Sequence, residues 1–587
     1  MGVELPFKIL FGRKIICQPI VMWYKLKLMD NYTSLISPVI ERASSDPDRL
    51  SLIFFEEGEY EEISAYQFHR EASKFAAALE RIKVEKGDLI VLVLQHSKTL
   101  LYAFWGAMFK GAVPSIFPFL TEKLDPIIYM ERVKSLVAHE QVRIVITYPA
   151  FKAELEALLS DLDCKVLSTD EIGSQEGFSP SEDFGEEKLA FLQHSSGTTG
   201  LQKGVALSHR AVLNQIDSYA KAILLGKQDV IVSWLPLYHD MGLIAGFVMP
   251  IVTGTPLILI SPFDWVRKPQ ILLHAISRYR GTLVWLPNFA YNHMARAIRP
   301  RHMEGVDLSS WRAAVNCSEP VQEHSHQVFL EQFQEYGFTQ SKLAACYAMA
   351  ENTFAVTQSK LGKAPRVEHI DIVHLQEDGK AFPAQPGRIS QSFVSCGFPI
   401  DQVDLQIRDA EGNTLPERQA GEIALRSNSM LSEYYRRPDI TEEAVRDGWY
   451  LTGDMGYLAE GELFITGRKK DMIIVGGKNV YPQDLEQIAN QVPGIYPGRA
   501  VAFGVMDQRM GSEGIVMVCE INGLADESSM KEIEHDLRRR ITASTEISLS
   551  DVRLVEGRWL IKTSSGKIAR NDNREKYYQE FFSESKE

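Results

Sequence analysis

Cysteine is scarce and scattered. Six occur in 587 residues: Cys17, Cys164, Cys317, Cys346, Cys396 and Cys519. No C-x-x-C pair appears, which removes a disulfide framework and the usual zinc spacings, and fits a reducing cytoplasm. Positive charge is in deficit as well: 63 Lys and Arg stand against 77 Asp and Glu, a net charge of −14. Nucleic-acid binding needs a basic surface and is not expected. Unbroken apolar spans are also missing. Residues 241–263 carry no charge, but Gly246, Pro250, Gly254 and Pro256 interrupt them. The stretch is long enough to cross a membrane; it reads better as a buried helix followed by a buried strand, and no stable membrane insertion is expected. Residues 1–29 mix Lys8, Arg13 and Lys14 with a short apolar stretch and lack a small-residue cleavage site. They read as an extension, either surface-binding or created by an upstream start codon, and not as a signal peptide.

What remains is ordinary for a soluble globular chain: 45% hydrophobic and 24% charged residues. The length exceeds one core, so at least two domains are expected. Residues 191–204 (FLQHSSGTTGLQKG) are the most informative. An apolar run enters a loop of Ser, Thr and Gly, then Lys203, then a second apolar run. Ser195, Ser196, Gly197, Thr198, Thr199 and Gly200 leave room for backbone N–H groups to approach an anion, and Lys203 adds a point charge. The spacing is not that of a Walker loop. The alternative is a solvated turn between two strands.

Near-continuous apolar strands alternate with helices through the N-terminal part: 89–94, 112–117, 142–147, 283–286 and 313–315. That pattern predicts parallel sheets covered on both faces. Ser208 is placed to cap a helix carrying Val212, Leu213, Ile216 and Tyr219. After about residue 395 the strands shorten and alternate, which predicts a small antiparallel or barrel-like unit. A charged connector near residues 468–471 then leads to a compact α+β pattern, with Pro482 suited to the first turn of a helix. The fold class is therefore α/β. A large N-terminal domain is expected over 30–468 and a smaller, mobile α+β domain over 469–587, behind the extension 1–29.

Five patches in order resemble the motifs of the adenylate-forming superfamily. They are the loop at 195–204, YAMAE at 347–351, LTGD at 451–454, GRKKD at 467–471 and KTSSGKIAR at 562–570. The resemblance implies that a carboxylate is joined to ATP, giving an acyl-adenylate and pyrophosphate. Two anions must then meet, so the site must supply positive charge and an in-line approach. The loop and Lys203 would hold the β- and γ-phosphates. Tyr347 and Ala348 would sit against adenine, with Ser318, Glu319 and Pro320 in the adenine-binding turn (NCSEP). Asp454 and Arg468 would meet the ribose, and Glu351 would hold Mg²⁺. Lys567 would act between carboxylate and α-phosphate, and Lys470 would be the hinge on which the C-terminal domain swings. Each has a plainer alternative: a turn aspartate, a surface ion pair, a helix-start glutamate or a solvated lysine.

Residues 233–244 (SWLPLYHDMGLI), 275–290 and 393–399 are similar to the fatty acyl-AMP ligases within that superfamily. This implies a fatty acid substrate and an acyl carrier protein as acceptor. Glycines at 476 and 477 keep CoA as the alternative acceptor, and a catalytically silent nucleotide- or acyl-binding module is the reading from another class. Trp234, Met241, Phe247, Trp285 and Phe289 are available to line an apolar acyl pocket, with core packing the default reading for most of them. His239 is available to gate its carboxylate end, with a hydrogen-bonded core histidine as the alternative. Gln202, Ala348, Cys317 and Ser318 depart from the superfamily pattern. The methyl of Ala348 stands where a glycine would allow close approach.

Overall fold

The computed structural model describes residues 32–120, 126–172, 187–195, 203–475, 478–507, 512–521, 526–545, 547–563 and 566–582, with 178, 180, 185 and 523. The extension, residues 196–202 and glycines 476 and 477 lie outside the described residues.

Two large sheets form the bulk of the N-terminal part. In the nine-stranded sheet, Leu50–Glu56, Leu257–Ile260, Ile231–Ser233, Leu283–Leu286, Ala313–Asn316 and Leu343–Ala348 are neighbours in that order and all parallel. In the seven-stranded sheet, Lys165–Ser168, Ile144–Thr147, Leu89–Val93, Val113–Ile116 and Leu189–Ser195 are likewise parallel. Strands such as LIVLV at Leu89–Val93 are buried along their whole length, because helices cover both faces. The exception matters for the site. Leu189–Ser195 turns back antiparallel into Lys203–Ser208, so the Ser/Thr/Gly loop spans a hairpin.

Local signals explain the boundaries. Ser208 Oγ accepts the Ala211 N–H at 3.1 Å and starts the helix His209–Ala222. The uncharged stretch divides as its breakers indicate, into Met241–Val248, a π-helix, then Met249–Thr253 and the strand Leu257–Ile260. Among the described residues no helix is long and apolar enough to cross a membrane.

A five-stranded antiparallel sheet follows, built on Val403–Arg408, Gly421–Ser427, Trp449–Ala459 and Glu462–Arg468. The smaller C-terminal part has a three-stranded sheet of Ile495–Asp507, Ser512–Ile521 and Asp551–Val555, with helices Pro482–Ala489 and Glu527–Thr545. Pro482 stands at the first helical position. The buried apolar clusters fall into two sets: those ending at Leu463 and Phe464, and those beginning at Ile473 and Val501. Two cores with a polar stretch between them can move relative to each other without exposing either.

Candidate active site

Two groups of side chains and a cavity lie where the sheets meet the C-terminal part. The first group centres on Asp454. Gly453, at φ 70°, turns the chain within Trp449–Ala459 and presents the carboxylate. Asp454 Oδ2 accepts from the Tyr347 hydroxyl at 2.6 Å, and Arg468 Nε lies 3.3 Å from Oδ1. Asp454 and Arg468 are direct partners across a strand pair, which explains how residues 14 apart converge. Burial pushes the Tyr347 phenol far up, and the Asp454 charge adds to it. The same carboxylate holds Arg468 above its ordinary value.

The second group centres on Tyr434, which the sequence did not single out. Its hydroxyl donates to Glu351 Oε1 at 2.8 Å and lies 2.8 Å from the Tyr450 hydroxyl. The Lys203 ammonium lies over the Tyr434 ring, 4.7 Å from its centroid, a favourable cation–π placement. One tyrosine thus brings the loop lysine and the glutamate of YAMAE together. Ser195 is paired with Lys203 at the hairpin end; Ser196, Gly197, Thr198, Thr199 and Gly200 lie outside the described residues.

The cavity, of about 2180 Å³, is walled by both parts of the chain. Trp234, His239, Met241, Phe289, Ser318, Glu319 and Pro320 face Lys562 and Lys567 across it. Lys567 Nζ donates to the Ser318 carbonyl at 2.8 Å. Ser318 holds φ 80°, in the left-handed region that favours glycine. Asn288 secures the turn from both sides: its Nδ2 donates to the Pro320 carbonyl at 2.7 Å, and its Oδ1 accepts from Asn316 Nδ2 at 2.8 Å and Gln322 N at 3.1 Å. Sequence reasoning missed Asn288, since one asparagine opening a helix carries no local signal.

Charge at this end is tuned by burial. The His239 imidazole is pushed down to about 3, by desolvation first and by the Lys567 charge second. It is neutral at pH 7, and its Nε2 is buried without a hydrogen-bond partner among the described residues. Burial raises the carboxyls of Asp240 and Glu319, and Lys567 opposes both shifts. Asp240 also feels Glu351, which links the cavity electrically to the Tyr434 group. Lys203, Tyr347, Glu351 and Asp454 themselves are not part of the cavity wall.

Of the residues available for an acyl pocket, Phe247 and Trp285 do not line the cavity and follow the core-packing alternative. Phe247 packs between Phe104 and Trp105, and the Trp285 indole donates to the Tyr219 hydroxyl at 2.7 Å. Both are core residues, 0% and 1% exposed. Lys470 is exposed in the 3-10 turn Lys469–Asp471, where partial desolvation, Arg468 and Lys203 lower its ammonium pKa. Ala348 is accommodated at the end of its strand, opposite Ala355.

Known proteins resemble this chain over nearly its whole length. A medium-chain-fatty-acid–[acyl-carrier-protein] ligase of Moorena producens is 29% identical over 577 residues, covering 93% of this chain and 95% of its own. A putative fatty-acid–CoA ligase of Mycobacterium tuberculosis is 29% identical over 599 residues, covering 94% and 98%. A solved structure from work on the fatty acyl-adenylate ligases of E. coli and L. pneumophila superposes with a TM-score of 0.86 at 28% identity, covering 95% of this chain and 99% of that one. The family model described as AMP-binding enzyme matches residues 39–435. The chain therefore belongs to the AMP-binding enzyme family and is an adenylate-forming ligase.

Proposed function

We propose that this protein activates a medium- or long-chain fatty acid as its acyl-adenylate and passes the acyl group to the phosphopantetheine thiol of an acyl carrier protein. The observation that carries the first step is the reach of Lys567 into the cavity walled by both parts of the chain, onto the turn at Ser318. A fatty acid in that cavity places its carboxylate near Lys567 and the neutral His239. A carboxylate oxygen bonds to the α-phosphorus while the bond to the bridging oxygen of pyrophosphate breaks. Lys567 offsets the charge that gathers there. His239, being neutral, can donate a hydrogen bond to the carboxylate without trapping it as an ion pair. Tyr347, Ala348, Ser318, Glu319 and Pro320 hold the adenine, and Asp454 and Arg468 the ribose. Residues 195–200 and Lys203 hold the phosphates and the departing pyrophosphate.

Glu351 suits Mg²⁺. Its Oε1 carries one hydrogen bond from Tyr434, and it shares that tyrosine with the phosphate-loop lysine. An ion there would be held by this one carboxylate, phosphate oxygens and water. When bound, Mg²⁺ would neutralise phosphate charge.

We place the domain boundary at 468/469, with Lys470 as the hinge of the C-terminal part. The carrier-protein acceptor follows the Moorena relative, and the CoA alternative follows the mycobacterial one. The test is ATP–pyrophosphate exchange with a panel of fatty acids, followed by addition of holo acyl carrier protein or CoA to the acyl-adenylate. Exchange with no fatty acid would leave a silent binding module. Faster transfer to CoA would replace the carrier protein as acceptor.

A further inference from the structure

A buried chain of three polar side chains lies under the phosphate-loop hairpin. Glu140 ends the helix Pro126–Glu140. Its Oε2 lies 2.9 Å from His194 Nε2, and His194 Nδ1 lies 2.7 Å from the Ser115 hydroxyl. The His194 and Glu140 side chains are 1% and 8% exposed, and Ser115 is fully buried. Glu140 touches the other strand as well. A Cβ on Gly204 would stand 2.6 Å from Oε1, and the three nearest atoms to it all belong to Glu140. His194 and Gly204 are direct partners across the hairpin, immediately outside the Ser195–Lys203 pair. The Gly204 carbonyl accepts the Tyr435 N–H at 2.7 Å, which ties the same point to the strand bearing Tyr434.

We infer that Glu140 is a positioning residue that clamps both ends of the ATP-phosphate loop, through a hydrogen bond to His194 and close packing on the bare Cα of Gly204. This rests on the reading that residues 195–203 hold the phosphates. Burying a carboxylate is costly unless it is paired. A few apolar side chains would close an ordinary hairpin as well. A paired carboxylate instead demands a set geometry, because displacing either partner strands a buried polar group. The spacing of the two strand ends is thereby held where the loop leaves the sheet. Lys203, one residue from Gly204, inherits that placement over Tyr434.

The test compares Glu140→Ala, Glu140→Gln, Gly204→Ala, the Glu140→Ala/Gly204→Ala pair and Lys203→Ala by ATP–pyrophosphate exchange. Glu140→Ala is expected to raise KM for ATP about tenfold, with KM for the fatty acid unchanged, as a small misplacement of a binding group does. Glu140→Gln keeps an acceptor for His194 and should recover most of the loss. Gly204→Ala should reproduce the ATP effect by pushing the carboxylate aside. The double variant should be no worse than either single one, since removing the Glu140 carboxylate makes room for the new methyl. If Glu140→Ala fails to fold, Gly204→Ala and Glu140→Gln carry the same contrast. The inference is overturned if Lys203→Ala raises KM for ATP while Glu140→Ala and Gly204→Ala do not, or if both KM values rise together. A Lys203→Ala variant with unchanged KM for ATP would remove the phosphate-loop reading itself, and the clamp with it.

Discussion

The Asp454 group and the Lys567 contact are built in opposite ways. Tyr347, Asp454 and Arg468 belong to one part of the chain and hold one another at 2.6 and 3.3 Å without help from the C-terminal part. Lys567 comes from the other core and touches the site through a single hydrogen bond to a backbone carbonyl, 249 residues away. The first arrangement is complete within one part of the chain; the second joins two parts of the chain. A binding surface benefits from preorganisation, because ordering costs are met during folding. A charge needed for one step and not the next benefits from being removable.

The sharpest break of this comparison is Lys567→Ala. Acyl-adenylate formation is expected to fall by at least about 100-fold, since a preorganised charge at the reacting atoms is lost, while circular dichroism and the melting curve stay native. Near-normal pyrophosphate release would show that the lysine does not act there. Lys562, whose Nζ donates to the Gly498 carbonyl at 2.9 Å within the C-terminal part, is the control and should cost far less.

Asp454→Ala probes the arrangement within one part. It leaves the buried Tyr347 hydroxyl and Arg468 without their shared acceptor, so KM for ATP should rise about tenfold, the scale of a lost charged hydrogen bond. An unchanged KM, measured by initial rates, would take Asp454 out of nucleotide binding.

Lys470→Pro tests whether the two sides work in different poses. Fixing φ at the turn Lys469–Asp471 should spare adenylation and slow acyl transfer. Equal loss of both steps would remove the hinge assignment.

A pH series sharpens the contact between the parts. Gln391 Nε2 donates to Asp484 Oδ1 at 2.6 Å across them. Burial pushes the Asp484 carboxyl up to about 7 from an ordinary 3.8. A raised acid binds its proton more tightly in the folded state. Its stabilisation is therefore fully present below the unfolded value and is lost as pH rises through the folded one. The melting temperature of the native protein relative to Asp484→Asn should fall between about pH 4 and 7; a constant difference across that window would contradict the shift.

The smallest effect is expected at Ser318. Glycine there relieves the left-handed backbone and should stabilise the protein by about 1 kcal/mol, read from denaturant melts.

Much of this was legible in the chain. Parallel strands such as Leu283–Leu286 announce themselves by unbroken apolar runs, the Ser208 cap by a serine ahead of a helical stripe, and the motif residues by their order. The rest was not. Tyr434 lies in a two-residue strand and acquires its place only by pairing with Val205 and Ala206. Trp285 and Phe289 stand four residues apart and look equally fit for the acyl pocket, yet one is sealed in the core and the other is 44% exposed at the cavity. Glu140 carries no motif, because its meaning is a distance between a helix end and a strand end.

By itself, then, the sequence determined the α/β class, the order of the candidate site and the chemistry its residue types allow, since periodicity, capping and motif spacing are local properties. Only the tertiary structure decided which side chains share a hydrogen bond, which aromatics face the cavity and which acid packs against His194 and Gly204. Those outcomes depend on distances between segments far apart in the chain, and packing of the whole core sets them.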